Sequence, residues 1–568
     1  MEVLLFLAAQ AHENFHVKRP HQELHGSKVE AIDCLMNLRP RRFGKSLFLS
    51  MLDRYYDVES ADQFDELFKG LYIYENPTKY RNIYYMLRFN FSGIQNTQME
   101  GLEKGFVRKV KDGAQQFINR YNLDIKFPKD SSAADVLSSL LTSFESFKFS
   151  NKIYILIGEY DHFTNALLSG DGEDFLAILR RGGFVRSFYE VIKERAESGI
   201  IERVFITGVM SVTLDSMTSG FNIATKITTE FDFADMMGFT AAEVKALLKL
   251  SYLKSEKLKE SVELNAKEQE AIYEVFRENY NGYLFSSRNQ TKVFNSTLIM
   301  YYLQHYLPHK LPPESLIDAN LNQSGATIES IVGLKNREQN YKVIEEVIKE
   351  KQVSGTLQPL IEIDKKFDED DLITLLFNIG FLTIKESGFS LKFEVPNKII
   401  ENIYMQYLGD LVQKQHNYKL DQRKQRQAVE EVGEPGKIYA LTTLVSEFLM
   451  HTSGRNTQKF DEKYIKLIYK ILLSSTEQFI VYDEFPSLQG YGDLLIMKAP
   501  NSYAKYELVI ELKYIKKGDT TDAKIEEKLA EGIQQIGKYM KDERLAKRKP
   551  LKFVIVFSGF EAVRLQEL

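Results

Sequence analysis

Residues 39–52 read RPRRFGKSLFLSML, a basic loop that runs into an apolar helical stretch. A phosphate-binding loop ends in Gly-Lys-Ser or Gly-Lys-Thr, because N–H groups at a helix N-terminus, an ammonium and a hydroxyl together hold phosphates and magnesium. Gly44, Lys45 and Ser46 supply that end. The first glycine of the general pattern GxxxxGK[ST] would fall at Arg39. Spacing alone therefore leaves an ordinary basic loop at a helix start as an equal alternative.

Residues 29–250 alternate short β-rich runs with longer helical patterns, which predicts an α/β domain with a parallel sheet. The strand candidates are Ile83–Phe91, Ile153–Ile157 and Val204–Thr207. The second of them is followed by Glu159 and Asp161. Acids at the carboxyl end of a parallel sheet can hold magnesium and polarise water for ATP hydrolysis, and a buried strand with a solvated acidic end is the alternative.

Length and composition indicate a globular protein of several domains. The 568 residues exceed the ~250 to 300 at which one core stops growing. A content of 44% hydrophobic and 27% charged residues excludes wholesale disorder. The single cysteine, Cys34, allows neither an internal disulfide nor a cysteine-based zinc cluster. With 74 basic and 79 acidic side chains, any binding of nucleic acid or anionic lipid must be local.

The apolar run Val3–Ala9 is too short for a membrane span, which takes about 20 residues, and it lacks a secretory cleavage site. We therefore expect a cytoplasmic protein without a membrane segment. The next residues, His12-Glu13-Asn14-Phe15-His16, fit the zinc-hydrolase pattern HExxH. Pro20 would end the helix before a third zinc ligand could be placed by a regular scaffold, so a zinc hydrolase is the weakest alternative.

The middle of the chain predicts helices and a small β-hairpin. Thr240 and Glu243 have capping-box spacing at the start of a helical region that extends to about residue 350. Residues 368–408 read as two helices followed by the alternating stretch Phe381–Val395, with Gly388 at a hairpin turn. This order is compatible with a winged-helix module.

Three side chains in the last part of the chain form a second candidate site. Glu511 and Lys513 are two apart on a predicted strand, so they share one face, and a hairpin brings Asp493 beside them. Two carboxylates and a lysine can hold a divalent cation, activate water and stabilise the phosphorane of phosphodiester hydrolysis. The apolar run Leu508–Ile510 indicates a buried strand, where such groups are costly unless paired or metal-bound. The spacing D-x(17)-E-x-K alone also suits an exposed amphipathic hairpin.

Five segments resemble the AAA-ATPase-like family in order and rough spacing. They are RPRRFGKSLFLSML (39–52), GEYDHFTNAL (158–167), ITGVMSVTLDSMTSGFN (206–222), YNGYLFS (280–286) and VFNSTLIMYYL (293–303). Arg39 in place of glycine is normal in that family. The resemblance implies a nucleotide site of Arg42, Gly44, Lys45, Ser46, Asp161 and Thr207. Ser46 would also hold magnesium, Glu159 would be catalytic, and Thr207 would sense the γ-phosphate.

The C-terminal pattern resembles the PD-(D/E)XK nuclease superfamily, which AAA-ATPase-like proteins usually carry at their C-terminus. By this resemblance Asp493 and Glu511 bind the metal, Lys513 orients or activates water, and Glu462 and Gln535 complete the catalytic site. A groove for the nucleic-acid backbone would be lined by Lys541, Arg544, Lys547, Arg548, Lys549 and Lys552.

Two positions depart from these families. Gly158 stands where the AAA-ATPase-like family typically has the first Asp of Asp-Glu-Tyr-Asp. The loss of that outer contact to magnesium predicts nucleotide binding with weak or absent hydrolysis. Tyr491 stands beside Asp493 where Arg is more usual in the nuclease superfamily.

The sequence thus predicts an α/β fold: a P-loop AAA-like parallel sheet domain, a helical and winged-helix middle region, and a C-terminal α/β restriction-endonuclease-like domain. The expected bounds are 1–239 for the nucleotide-binding domain, 240–410 for the middle region, 411–437 for an exposed polar connector and 438–568 for the nuclease-like domain. We expect ATP and Mg²⁺ as cofactors, nucleic acid with DNA favoured as substrate, and gating of cleavage by nucleotide, with a homo-oligomer left open. The alternative is a nucleotide-sensing module that binds nucleic acid or protein with a degenerate ATPase and a silent nuclease fold.

Overall fold

The computed structural model describes residues 28–94, 99–127, 130–161, 183–210, 223–250, 264–317, 324–333, 336–359, 361, 367–452, 461–474, 476, 478–487, 490–500 and 502–568. These residues form two compact units. Unit 1 comprises the residues up to Pro308 together with Ala326–Asn397, and unit 2 comprises His309–Gly325 together with Lys398–Leu568. The HExxH pattern at 12–16 lies outside the described residues.

Unit 1 is built on a five-stranded sheet in the order β2-β3-β4-β1-β5, in which all neighbours are parallel. The strands are β1 Cys34–Leu38, β2 Tyr85–Asn90, β3 Ile153–Gly158, β4 Ile201–Gly208 and β5 Thr225–Lys226. Strand β3 is buried along its whole length, as expected for a parallel sheet that helices cover on both faces. The three predicted strands are confirmed as β2, β3 and β4, and only their ends differ. Strand β1, directly before the basic loop, is an addition that the pattern did not predict.

Helices cover this sheet and continue into the middle of the chain. They are α1 Lys45–Tyr56, α2 Phe64–Phe68, α3 Tyr72–Glu75, α4 Met99–Arg120, α5 Ala133–Ser146, α6 Gly183–Glu197, α7 Ala241–Leu250, α8 Ala266–Asn279, α9 Ser296–His309, α10 Ser324–Val332, α11 Arg337–Glu350 and α12 Glu369–Ile379. The capping box at α7 is present: Thr240 Oγ1 accepts the N–H of Glu243, whose carboxylate accepts the N–H of Thr240 at 2.7 Å. The antiparallel pair β6 Phe239–Thr240 and β7 Val293–Phe294 flanks this region.

Unit 1 also contains a three-stranded antiparallel sheet in the order β8-β10-β9. Its strands are β8 Gln352–Gly355, β9 Thr383–Ser387 and β10 Leu391–Glu394. Gly388 donates its N–H to the carbonyl of Ser390 at 3.1 Å, so the predicted hairpin turn is present. The predicted order of two helices before the hairpin is wrong. Gly380 ends α12 in the left-handed region with φ +86°, so the chain enters β9 directly, and the second helix follows the hairpin.

Unit 2 contains a five-stranded sheet in the order β11-β12-β13-β14-β15, in which only β13 and β14 are parallel to each other. The strands are β11 Phe479–Ser487, β12 Gly490–Lys498, β13 Leu508–Ile515, β14 Leu551–Ser558 and β15 Glu561–Glu567. The helices are α13 Lys398–Gln415, α14 Gln422–Gly433, α15 Tyr439–Thr452, α16 Glu462–Ser474, α17 Asp522–Tyr539 and α18 Glu543–Arg548. One part of the core is formed by Ile515, Leu529, Ile536, Val554 and Val556, between α17 and the sheet.

The prediction of an exposed connector is wrong for residues 422–433. These residues form α14, which Asp421 caps by accepting the backbone N–H groups of the second and third helical residues. Ala428, Val429 and Val432 are buried, and the charged residues form the outer face of an amphipathic helix. In the part of the chain that the structure describes, every helix is too short or too polar to cross a bilayer.

Candidate functional site

Strands β12 and β13 bring two carboxylates together in unit 2. Leu494 pairs with Ile510 in the antiparallel register, so Asp493 and Glu511 are the next facing positions. Oδ2 of Asp493 accepts the backbone N–H of Leu512 at 2.8 Å, which fixes this carboxylate against the neighbouring strand. The structure thus brings together the two acids that the sequence placed in one site.

Lys513 joins the two acids from the same face of β13. Its Nζ donates to Oε1 of Glu511 at 2.7 Å and to the carbonyl oxygen of Leu512 at 3.2 Å. Oε2 of Glu511 is buried and has no hydrogen-bond partner. Burial, and after it the charge of Asp493, raises the pKa of Glu511 to about 7 although Lys513 opposes the rise. One oxygen of this carboxyl group is therefore available to a cation.

Helix α16 adds an acid and a second lysine to the site. Oε1 of Glu462 accepts the backbone N–H of Tyr514 at 3.3 Å, and Nζ of Lys466 lies 3.1 Å from Oδ1 of Asp493. Burial raises the pKa of Glu462, with Lys513 opposing the rise and Asp493 adding to it. Glu462 was predicted from sequence, whereas Lys466 was not.

Helix α17 closes the other side of the site. A Cβ at Gly532 would lie 2.5 Å from Cγ1 of Val554 and 3.5 Å from Cγ of Glu511, so only glycine allows the helix to pack this closely. Oε1 of Gln535, one turn further along the same helix, is buried without a hydrogen-bond partner. The pKa of Tyr539 is raised by burial and by the charges of Glu511 and Asp493, which places its hydroxyl near the acids.

These groups suit a divalent cation held by two carboxylates. Among the described residues, no cluster of three or more His, Cys, Asp or Glu side chains is arranged to enclose a metal ion. Asp493 and Glu511 nevertheless face each other, and Glu511 has an unpaired buried oxygen and a raised pKa. A cation there would relieve the repulsion between the two carboxylates and favour the ionised form of Glu511.

The basic loop of unit 1 wraps around the ammonium group of Lys45. Its Nζ donates to the carbonyl oxygens of Arg39 and Pro40, each at 3.1 Å, and lies 3.9 Å from Oε1 of Glu159. Gly44 precedes α1 with φ +85°, a left-handed conformation that glycine adopts without strain. Burial lowers the pKa of Lys45, and Glu159 opposes this. The loop therefore positions a lysine and the N-terminus of a long helix at the end of β1, as a phosphate site requires.

Comparison with known protein families matches two separate parts of the chain, and each part contains one of these two sites. Residues 28–218 match the model of a family described as predicted AAA-ATPase, and residues 460–567 match that of the PD-(D/E)XK nuclease superfamily. Residues 28–218 are thus similar to a predicted AAA-ATPase, and residues 460–567 are similar to PD-(D/E)XK nucleases. No curated protein is similar enough to count as a match. The resemblances inferred from the two sets of motifs are thus confirmed.

Arg39 anchors the phosphate loop of the AAA-ATPase-like domain. Its guanidinium donates hydrogen bonds to Asn37 Oδ1 and to the carbonyl oxygens of Leu38, Thr228, Phe233 and Ala234. It also lies 4.2 Å from the ring centre of Phe285, and it is fully buried. Burial lowers the pKa of Arg39 to about 9. An arginine at the position of the usual glycine therefore ties the start of the loop to a distant segment of the chain.

The segments at 280–286 and 293–303 support the same loop. Phe43 packs edge-on against Tyr283, with ring centres 4.8 Å apart. Arg42 has φ +75°, and its carbonyl oxygen accepts the N–H of Thr297 at 3.1 Å. These contacts give a physical reason why two segments more than two hundred residues away occur together with the loop in the family resemblance.

The acids after β3 divide into two roles. Oδ2 of Asp161 accepts the N–H groups of Val209 at 2.9 Å and Met210 at 2.6 Å, and burial raises its pKa to about 6. Asp161, predicted to bind the cofactor, therefore also holds the turn that follows β4 through this oxygen. Glu159 is the acid that faces Lys45. The hydroxyl of Thr207, at the end of β4, is buried without a hydrogen-bond partner.

An acid at Gly158, which is typical of its position, would crowd Leu49 on α1. A Cβ there would lie 2.9 Å from Cδ1 of Leu49 on α1. An aspartate at 158 would have to displace this leucine. The missing carboxylate is thus accompanied by an apolar side chain close to its Cβ position.

An apolar cavity of about 280 Å³ adjoins the phosphate loop at Gly44, Leu47 and Ser296. Its further lining includes Val29, Phe48, Met51, Met236, Met237 and Phe239. A nucleobase suits such a cavity, since its faces are apolar and the phosphates would extend towards the start of α1. This cavity could not be recognised from the sequence, because its lining comes from separate segments.

The predicted basic groove near α18 is partly neutralised. Arg544 lies 2.7 Å from Asp542, and Arg548 lies 2.7 Å from the buried carboxylate of Glu507. Both arginines are therefore paired with carboxylates in this part of the structure. The other members of the predicted basic groove are all lysines: Lys541, Lys547, Lys549 and Lys552.

Proposed function

We propose that the PD-(D/E)XK domain hydrolyses phosphodiester bonds of nucleic acid, with DNA as the favoured substrate and Mg²⁺ as the metal. The observation that supports this most directly is the cluster of half-buried Asp493 with buried Glu511 and Lys513, in which the ammonium contacts Oε1 of Glu511 and Oε2 of Glu511 has no hydrogen-bond partner. A structural ion pair in a core would have both oxygens satisfied.

The protein side chains have separable roles in this proposal. Asp493 and Glu511 would hold the metal, which supplies charge neutralisation at the scissile phosphate and a more acidic water. Lys513 orients the attacking water and stabilises the negative charge that develops on the phosphate. Lys466 fixes Asp493, and Gln535, whose buried amide oxygen has no hydrogen-bond partner, would complete the site from α17. Glu462 adds negative charge from α16.

Cleavage assays with metal and site variants test this function. We expect the full chain to cleave nucleic acid with Mg²⁺ or Mn²⁺ and to be inactive with EDTA. Lys513→Ala and Glu511→Gln should each lose at least about a hundredfold in rate, the scale that general acid–base groups supply. Lys516→Ala, on an exposed lysine three residues further on, is the matched control and should keep the wild-type rate. A well-folded wild-type protein that cleaves neither DNA nor RNA with either metal would favour the silent nuclease fold instead.

We infer further that the AAA-ATPase-like domain binds ATP and that nucleotide occupancy gates cleavage. Lys45 and Gly44 at the start of α1 would hold the phosphates, Ser46 on the exposed first turn would contact magnesium, and the adjoining cavity would take the base. Thr207, with its unpaired buried hydroxyl, would respond to the γ-phosphate. The presence of two candidate sites on one chain motivates the gating.

Nucleotide titrations test the proposed ATP binding and gating. We expect Lys45→Ala and Ser46→Ala to weaken ATP binding, measured by calorimetry, while Lys69→Ala at an exposed position leaves it unchanged. ATP should change the cleavage rate of wild type and not that of Lys45→Ala. Equal cleavage by both proteins, with or without ATP, would remove the gating and leave the nuclease function intact.

A further inference from the structure

Tyr491 is a large aromatic side chain that is 70% exposed beside the nuclease site. It precedes Asp493 by two residues on β12, so both side chains leave the strand on the same face. An aromatic ring this exposed contributes little to the core, and most of its apolar surface remains in contact with water.

Two glycines flank Tyr491, and each occupies a position that excludes a side chain. Gly490 has φ +129°, a conformation closed to other residues, and its Cβ position would lie 4.0 Å from the ring of Tyr539. At Gly492 a Cβ would lie 2.2 Å from the ring of Phe485, so only glycine fits there. Phe485 and Tyr539 pack edge to face with ring centres 5.9 Å apart. Two glycines and an aromatic pair thus fix the strand that carries the exposed ring.

We propose that Tyr491 stacks on a nucleobase next to the scissile phosphate, and that the substrate is therefore single-stranded nucleic acid. The proposal rests on the nuclease function above and specifies its substrate class. A tyrosine face offers apolar area and stacking without distinguishing one base from another. A paired base inside a duplex is already stacked on its neighbours, so its face is not accessible to a side chain.

The charges near the site are consistent with a single strand. Lys538 and Lys541 are exposed at the C-terminal end of α17, which also carries Gln535 and Tyr539 of the site. Lysines that follow a backbone next to an aromatic platform are the usual combination in proteins that bind single strands.

Comparative cleavage of matched substrates tests the proposal. The substrates are one oligonucleotide sequence offered as single-stranded DNA, as single-stranded RNA and as blunt duplex DNA, all with Mn²⁺ and the full chain. We expect wild type to prefer the single strands. Tyr491→Ala should lower kcat/KM on them by roughly ten- to a hundredfold, the range that stacking of one base provides. Its activity on duplex should change less than about threefold, whereas Tyr491→Phe, which keeps the ring, should behave as wild type on every substrate.

A binding measurement separates stacking from a structural effect. In EDTA, an oligonucleotide with 2-aminopurine should lose fluorescence on binding to wild type and to Tyr491→Phe but not to Tyr491→Ala. Tyr503→Ala, at a tyrosine that is 88% exposed beyond the other end of β12, is the matched control and should show normal quenching. A duplex preference of wild type, or an equal loss on single strands and duplex in Tyr491→Ala, would overturn the stacking role while the nuclease function stands. An inactive wild type on all three substrates would refute the proposed function itself.

Discussion

The pKa of Glu511 would make the proposed metal binding of the PD-(D/E)XK-like domain depend on pH. Burial and the charge of Asp493 raise this pKa from 4.5 to about 7. A metal binds the ionised carboxylate, so each ion must displace the proton that the carboxyl group still carries. About nine tenths of Glu511 is protonated at pH 6 and about one tenth at pH 8. We therefore expect about 0.9 proton released per metal at pH 6 and about 0.1 at pH 8, with roughly tenfold weaker binding at pH 6.

Calorimetric titration of the nucleotide-free chain with Mn²⁺ measures this release, because the heat depends on the ionisation enthalpy of the buffer. Two buffers at each pH give the number of protons. Glu511→Gln should abolish the pH-dependent release, and Glu462→Gln should retain most of it. Glu561→Gln, on the last strand, serves as an exposed control. Proton release that is the same at pH 6 and pH 8, or that persists in Glu511→Gln, would refute the reasoning.

Three further variants test the supports of the two sites. Arg39→Ala removes the hydrogen-bond donor for several buried oxygens. We expect thermal unfolding to show that the free energy of unfolding falls by at least about 4 kcal/mol, and ATP binding should be lost as well. An unchanged melting temperature would contradict the anchoring role. Gly282 has φ +101°, and Gly282→Ala would place a Cβ 1.9 Å from the carbonyl oxygen of Pro396. We expect the same measurement to show about 3 kcal/mol of destabilisation. Wild-type stability would mean that the backbone at Pro396 can shift at little cost. Lys466→Met leaves Asp493 without its cation and should cost roughly 3 kcal/mol in metal-free protein. Added Mn²⁺ should raise the melting temperature of that variant more than that of wild type, and an equal rise would argue against a shared site.

The sequence predicted the acids of the nuclease site because they depend on two simple periods. Alternation along β13 puts Glu511 and Lys513 on one face, and hairpin pairing brings Asp493 to them. Lys466 could not be recognised in this way. A lysine on a helix looks solvated unless its neighbours show that its face is buried, and only the three-dimensional packing of α16 brings its ammonium to Asp493.

The connector prediction was wrong for α14 because it relied on amino-acid composition and not on hydrophobic periodicity. The residues of α14 are rich in Gln, Lys, Arg and Glu, and this concealed the apolar face of Ala428, Val429 and Val432. The role of Asp161 was equally inaccessible from the sequence. An acid after a parallel strand looks like a ligand, but its contacts with the backbone at Val209 and Met210 depend on the relative positions of β3 and β4.

The support of the phosphate loop by residues far along the chain has a practical consequence for fragments. A protein cut after residue 239, where the sequence suggested a boundary, would lose the amide of Asn295 that donates to the carbonyl oxygen of Arg41 at 3.3 Å. It would also lose Gly380, whose Cβ position lies 2.9 Å from Pro40. Any shortened polypeptide intended to retain nucleotide affinity should therefore extend to Asn397, and swaps between relatives should exchange the loop and its distant supports as one cassette.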